Sequence, residues 1–557
     1  MRILKILLVA LALGVMPLSA AAQQPMTLTQ MVDKIVAQEQ EEVQSLRQYS
    51  PIAETYIQKL RADKGLGAVP DGDKYFLGRA ELAKGVELEP LTRTNSIKHK
   101  MLATLGFSTE FLPRGFLQMI YVDMNGFDRQ HYKFDYVRRE FLGEVRCLVF
   151  DVDPLANGDK GRFVGRIWVE DQDYHIVRFN GAYSGSSKTS YFFDFDSWRV
   201  NTGKNQWLPA FIYSEEGVND ARTMGHGFKA QTRLWGYALG HSQEEQELSK
   251  VLVEGPTPVK DQTEIADDNS PFQAQRSWGH QAEDNVLAHL ERLGLLARYG
   301  DVDKVLETVV NNLEVTNNLD LQPEVRCRVM MTSTLESFTM GHTIVLSRGL
   351  VDVLPDEASL AAILAHELGH VVLGHRMDTQ FAFTNHMRFD ERETFRHFGF
   401  ARTPEEEQAA NKMGIELLKK SPYNDQPEST QLFLQVLHNR SKDIPNLISP
   451  HLGDRVLTSW TITSATPSAQ PAVAMPAANV IAALPLGGRI KIEPWNDQLR
   501  MLKSKPLGAV AEYEKIPFEV TPFVLYLTRQ GDSSSTEAGG AVSAKSDRDT
   551  NNPDTKP

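Results

Sequence analysis

Residues 360–376 read LAAILAHELGHVVLGHR, and within them His366-Glu367-Leu368-Gly369-His370 is an HExxH. On a helix, positions i and i+4 stand ~40° apart around the axis and one turn along it, so both imidazoles can reach one ion. Glu367 lies beside them. The flanking Leu360, Ile363, Leu364, Leu368, Val371 and Val372 make this helix apolar on nearly every side, which predicts burial at the centre of a domain. Two histidines and a glutamate in such a helix are costly unless a metal satisfies them. A catalytic zinc takes three protein ligands and keeps a fourth position for water, so a third ligand must come from elsewhere in the chain. His375, nine residues after His366, falls roughly 180° from it on a continuing helix, which assigns it to surface or packing duty.

The helix sits in a chain of 557 residues, room for about three or four domains. Hydrophobic residues make up 41% and charged residues 24%, which excludes a membrane bundle and a largely disordered chain. With 59 Lys+Arg against 72 Asp+Glu the net charge is -13, the wrong sign for neutralising phosphates, so nucleic acid is excluded as a partner. Cys147 and Cys327, 180 residues apart, read as isolated buried thiols, and disulfides do not organise the fold. At the N-terminus Arg2 and Lys5 precede an apolar run from Ile6 to Met16, then Ala20-Ala21-Ala22. That is the pattern of a secretory signal over residues 1–22, too short to span a bilayer, and it implies export with no transmembrane span in the mature chain.

Outward from the motif the composition changes in blocks. Residues 23–240 read as one unit: Met31, Ile35, Val43, Leu46, Ile52, Tyr56 and Leu60 recur at helical spacing and predict two helices broken at Pro51. From about Leu117 to Leu239 alternation such as Phe163, Gly165, Ile167, Val169 predicts a curved antiparallel sheet with one apolar face, dense in aromatics including Trp168, Trp198, Trp207, Phe211 and Tyr213. A sheet core explains these aromatics, or in part a lipid or peptide groove. Residues 241–282 have linker composition. Residues 283–465 return to helical periodicity with short strands at Val325 to Met331 and Thr343 to Leu346, residues 466–529 form a small C-terminal segment, and residues 530–557 read as a disordered tail. The fold class is α+β and multidomain: helices plus a curved antiparallel sheet, then a mainly helical domain with a small sheet.

Downstream of the HExxH, Glu405-Glu406-Glu407-Gln408-Ala409-Ala410-Asn411-Lys412-Met413-Gly414 forms a second helical stretch. HExxH followed some tens of residues later by an ExxxD-like helix with this Ala and Gly resembles the gluzincin group of zinc peptidases that includes HtpX, the CAAX prenyl protease and periplasmic outer-membrane quality-control proteases. Gly341 to Leu350 and Asp356 to Leu364 resemble that family's strand and turn before the motif, so the resemblance covers about residues 283 to 460 and implies a gluzincin-type metallopeptidase domain. It implies one zinc per chain held by His366, His370 and Glu407, with Glu367 as the general base that takes a proton from water and passes it to the leaving amine. It implies protein or peptide substrates, envelope proteins or lipoproteins among them, lying along an edge strand that here carries Ser337 and Phe338. Three positions depart from the family. Asn411 stands where an Asp orients a ligand histidine, Glu336-Ser337-Phe338 replaces Asn-Ala-Phe, and Pro450-His451 ahead of Arg455 reverses His-Pro, which leaves His451 as a candidate oxyanion contact.

Strands such as Gly161 to Val169 also resemble, at the level of fold, the half-barrel of periplasmic lipoprotein carriers. Two functions follow. One is an exported, periplasmic zinc endopeptidase in envelope protein quality control, its sheet positioning substrates; the other is a periplasmic binding or carrier protein on which a degenerate peptidase domain is scaffold. The intact ligands and base favour the enzyme. Phe381 to Arg402, between the motif and Glu407, has the position of a lid.

Overall fold

The structure, a computed structural model, describes residues 26–530 with internal exceptions, the longest being 92–112, 185–193, 218–225, 240–270, most of 378–401, 456–489 and 502–517. The expected signal (1–22), most of the expected linker and the tail from 531 lie outside these residues, as does most of the stretch with a lid's position.

The first described element is helix α1 (Leu28–Leu46), opened by a capping box in which Thr27 accepts from the Gln30 amide and Gln30 reaches back. Ten strands follow: β1 (Ile52–Asp63), β2 (Gly67–Glu81), β3 (Glu87–Pro90), β4 (Tyr132–Leu142), β5 (Val145–Pro154), β6 (Phe163–Glu170), β7 (Ile176–Tyr183), β8 (Asp194–Gly203), β9 (Gln206–Glu216) and β10 (His226–Trp235). They make one antiparallel sheet of order β3-β2-β1-β10-β9-β8-β7-β6-β5-β4. Bulges at Gln58/Leu60, Tyr136/Arg138, Trp168/Val169 and Trp198/Arg199 sharpen its twist.

The second helix expected before Arg61 is in fact β1. Ile52, Tyr56 and Leu60 are spaced by four, which fits a helix and equally the even positions of a strand. Glu54 and Gln58, buried on that same face, disguise the alternation because they are polar. The sheet therefore begins at Ile52 and not near Leu117.

Each face of the sheet has its own core. Ile57, Phe150, Phe163, Ile167, Phe179, Phe195 and Ile212 pack with Ile35, Val43 and Leu46 of α1 and with Phe116, Ile120 and Phe127. Tyr56, Trp168, Trp198, Trp207, Phe211, Tyr213 and Trp235 point the other way and merge with the core of the C-terminal half. These aromatics are interior surface, not a groove.

The C-terminal half contains α2 (Pro271–Arg292), α3 (Asp301–Asn317), β11 (Arg326–Met330), β12 (Glu336–Met340), β13 (Thr343–Ser347), α4 (Arg348–Val353), α5 (Glu357–Leu373), α6 (Pro404–Lys419), α7 (Pro427–Arg440), α8 (Pro445–Ile448) and β14 (Asp454–Arg455). Helix α2 begins inside the stretch expected as linker. The small sheet has order β11-β13-β12-β14. Helix α5 packs on β12 and between α3 and α6, buried along almost its whole length, as its apolar circumference requires. The polar residues of β1 and β2 join the two halves. Glu54 accepts from the Ser333 amide and hydroxyl and from Tyr75 Oη, and Asp73 accepts from the amides of Asn446 and Leu447 at the start of α8. A hairpin of β15 (Ile490–Ile492) and β16 (Leu499–Met501) and an extended segment at 520–530 complete the described chain. That segment crosses the aromatic-rich face of the large sheet: the Val520 amide donates to Gln58 Oε1, the Glu144 amide to Leu527 O, and the Gln530 amide to Asn201 Oδ1. Both cysteines are buried and free. Among the described residues no helix is long and apolar enough to cross a membrane.

Candidate metal centre

Helix α5 starts where Asp356 accepts the Ser359 amide at 2.7 Å, and it ends at Gly374, whose φ of 67° and ψ of 30° are left-handed. His366 and His370 leave it one turn apart with Nε2 atoms 3.3 Å from each other. Helix α6 starts at Thr403, whose hydroxyl accepts the Glu406 amide while Glu406 reaches back to the Thr403 amide. This capping box turns Glu406 outward and leaves the next residue, Glu407, facing α5. Its Oε2 lies 3.4 Å from His366 Nε2 and its Oε1 3.8 Å from His370 Nε2. The two helices approach closely because Gly369 lies against Ala410 and Gly414 against Ala365 and His366.

The three side chains fit a metal ion. Donors ~2.0 to 2.1 Å from a tetrahedral ion stand about 3.3 to 3.4 Å apart, the separation found along two edges of this triangle. Both Glu407 oxygens are buried without a hydrogen-bond partner, an unfavourable state for a carboxylate unless a cation satisfies it. Burial, reinforced by the neighbouring His366, Arg402 and His375, pushes the His370 imidazole down to about 2, which favours the neutral form that can ligate. Among the described residues this is the cluster of three or more metal-ligating groups close enough to share an ion.

Glu367 is fully buried beside the triangle. Burial raises its pKa; His366 and hydrogen bonds from Ser337 and Thr339 pull it back, and Glu407 pushes it up again. Thr339 Oγ1 donates to Glu367 Oε2 at 2.6 Å. That bond ties the carboxylate to β12, the strand nearest the site.

Ser337 and Phe338 need correction as edge-strand residues. Strand β14 pairs with Glu336 and Ser337, through Arg455 and Asp454, and covers the edge there. Phe338 turns inward onto Phe400, ring centroids 4.7 Å apart. At the next residue Arg402 Nη2 donates to Thr339 O at 2.7 Å, a contact the sequence did not signal. Arg455 enters through its backbone pairing, and His451 lies outside the described residues. Asn411 lies one turn after Glu407 on α6, and His370 Nδ1 meets His375 Nδ1.

His375 also differs from expectation. Its Nδ1 is 2.9 Å from His370 Nδ1. The 180° placement assumed a helix running past Gly374, and the helix stops there.

Residues 298–451 match the model of peptidase family M48. This stretch, which holds the triangle and Glu367, is a metallopeptidase domain, of a family that depends on a metal ion. No curated protein matches the chain. Two solved structures are similar to part of it: a LolA superfamily protein from Nitrosomonas europaea, at 13% identity over 37% of this chain and 94% of that one, and a putative outer membrane lipoprotein-sorting protein domain from Vibrio parahaemolyticus, at 12% identity over 39% and 100%. Both superpose with a TM-score of 0.20. The sheet is defined by its own strand pairing.

Proposed function

We propose that the chain is an exported zinc endopeptidase of the cell envelope that hydrolyses extended segments of protein substrates. The reading is carried by one observation: His366 Nε2, His370 Nε2 and the Glu407 carboxylate converge within 3.8 Å of one another with the buried Glu367 carboxylate beside them. His366, His370 and Glu407 would hold a zinc ion, which would supply Lewis acidity to the scissile carbonyl and lower the pKa of water. Glu367 would act as the general base, taking a proton from water and passing it to the departing amine, with Thr339 Oγ1 donating to its Oε2 and so fixing the carboxylate. Along β12 the edge is closed by β14 at Glu336 and Ser337 and by Arg402 at the Thr339 carbonyl, so a substrate strand pairing there would take the place of Arg402. Export rests on the apolar run between Ile6 and Met16 and the alanines that follow. Quality control of envelope proteins is the corresponding biological setting.

The test is metal content and casein cleavage by the parent protein and Glu367→Gln. The parent should carry close to one zinc per chain and cleave. The variant should keep its zinc and lose cleavage by orders of magnitude. Equal cleavage by the two would remove Glu367 from the mechanism, and a parent without zinc would remove the metal.

A further inference from the structure

We propose that His375 is a positioning residue for the metal centre, accepting the hydrogen on His370 Nδ1 and so fixing the ring whose Nε2 faces His366 and Glu407. The inference rests on the reading that His366, His370 and Glu407 hold the metal. A neutral imidazole that offers the lone pair of Nε2 carries its hydrogen on Nδ1. His370 Nδ1 then has to find an acceptor inside a buried site, and the atom 2.9 Å away is His375 Nδ1. His370 therefore donates and His375 accepts, keeping its own hydrogen on Nε2.

The backbone builds this pair. Gly374 adopts the left-handed conformation, its amide donates to Val371 O at 3.0 Å, and the His375 amide reaches back to His370 O at 3.1 Å. Those two bonds are a Schellman motif, in which the residue after the glycine folds back over the residue that accepts the longer bond. That contact is usually apolar. Here both members are histidines, their ring centroids 5.1 Å apart and their planes inclined at 65°. A helix-ending device thus brings an acceptor to a ligand histidine, the function that carboxylates and carbonyls serve at other metal sites.

The experiment is zinc competition against a chromophoric chelator with the full chain, together with the visible absorption of the cobalt-substituted protein. The proteins compared are the parent, His370→Ala, His375→Ala, His375→Asn and His375→Leu. His375→Ala should bind zinc roughly 10 to 100-fold more weakly and shift the cobalt d–d bands, with unfolding of the metal-free protein unchanged. His375→Asn should recover most of the affinity, because its Oδ1 is attached to Cγ as the imidazole Nδ1 is and can accept in the same place. His375→Leu should not. Parental affinity in His375→Ala, or recovery by Leu as complete as by Asn, would overturn the proposal in favour of packing alone. Absence of zinc from the parent, or parental affinity in His370→Ala, would overturn the metal reading itself and this inference with it.

Discussion

Replacing Gly414 by alanine should weaken the metal site without touching a ligand. Gly414 lies where α6 meets α5, and a Cβ there would stand 3.0 Å from Ala365 O, His366 Cα and His366 N. All three atoms are backbone, so no rotamer change relieves the contact. Carbon contacts become comfortable at about 3.5 Å, so α6 has to withdraw by about 0.5 Å. Glu407 is seven residues earlier, two turns up the same face, and moves with the helix. Metal bonds tolerate displacements of about 0.2 Å, so the Glu407 arm opens past its range. Zinc affinity should fall by roughly 10 to 100-fold, the scale seen when a group that orients a ligand is lost. Stability should change far less: overpacking costs about 1 to 3 kcal/mol, offset by the ~0.5 to 1 kcal/mol that alanine gains over glycine within a helix. Chelator competition gives the first quantity and thermal unfolding of the metal-free protein the second. Parental zinc affinity in Gly414→Ala would refute the claim that close helix approach sets the ligand spacing.

Glu407→Ala should lose zinc, whereas Glu406→Ala should keep it and lose about 0.5 to 1.5 kcal/mol of stability with the bond from the Thr403 amide to its carboxylate; metal analysis beside thermal melts separates the two. Thr339→Val removes a hydrogen bond that lowers the Glu367 pKa, so the acid limb of the kcat/KM profile should move to higher pH. Glu42 is a buried residue of α1, and its pKa is pushed up to about 7 from 4.5, chiefly by burial. The folded protein holds that proton where the unfolded chain does not, so this contribution is full below pH 4.5 and lost as pH rises through 7, on the order of 3 kcal/mol. Glu42→Gln should therefore be stabilised relative to the parent at pH 8 and not at pH 4, by thermal melts at the two pH values. Asp73→Ala leaves the first amides of α8 without an acceptor and should cost roughly 2 to 3 kcal/mol in a denaturant titration.

The HExxH helix was legible because its signal is local: two imidazoles at i and i+4 inside an apolar run need nothing from the rest of the chain. Strands β11 and β13 were legible for the same reason. Strand β1 was not, since Glu54 and Gln58 occupy buried positions for the sake of partners at Ser333 and Val520, hundreds of residues away. The glycine at 374 was visible as a helix stop, yet reading the helix through it turned His375 away from the site. Arg402 has no local pattern at all; its meaning comes from the Thr339 carbonyl it meets.

The segment at 520–530 closes over the large sheet late in the order of synthesis. Gln58 on the first strand bonds Val520, 462 residues later, and Phe523 packs on Phe211 with ring centroids 5.5 Å apart. Closing a flexible loop of that length costs roughly 5 kcal/mol of chain entropy, a sum lowered only if the intervening residues have already collapsed. A chain made from its N-terminus therefore shows part of an apolar, tryptophan-bearing face until residues 520–530 have been made. A chain cut short before Phe518 would have its ligands and its base in sequence but would display that face permanently, as a nascent or damaged protein does.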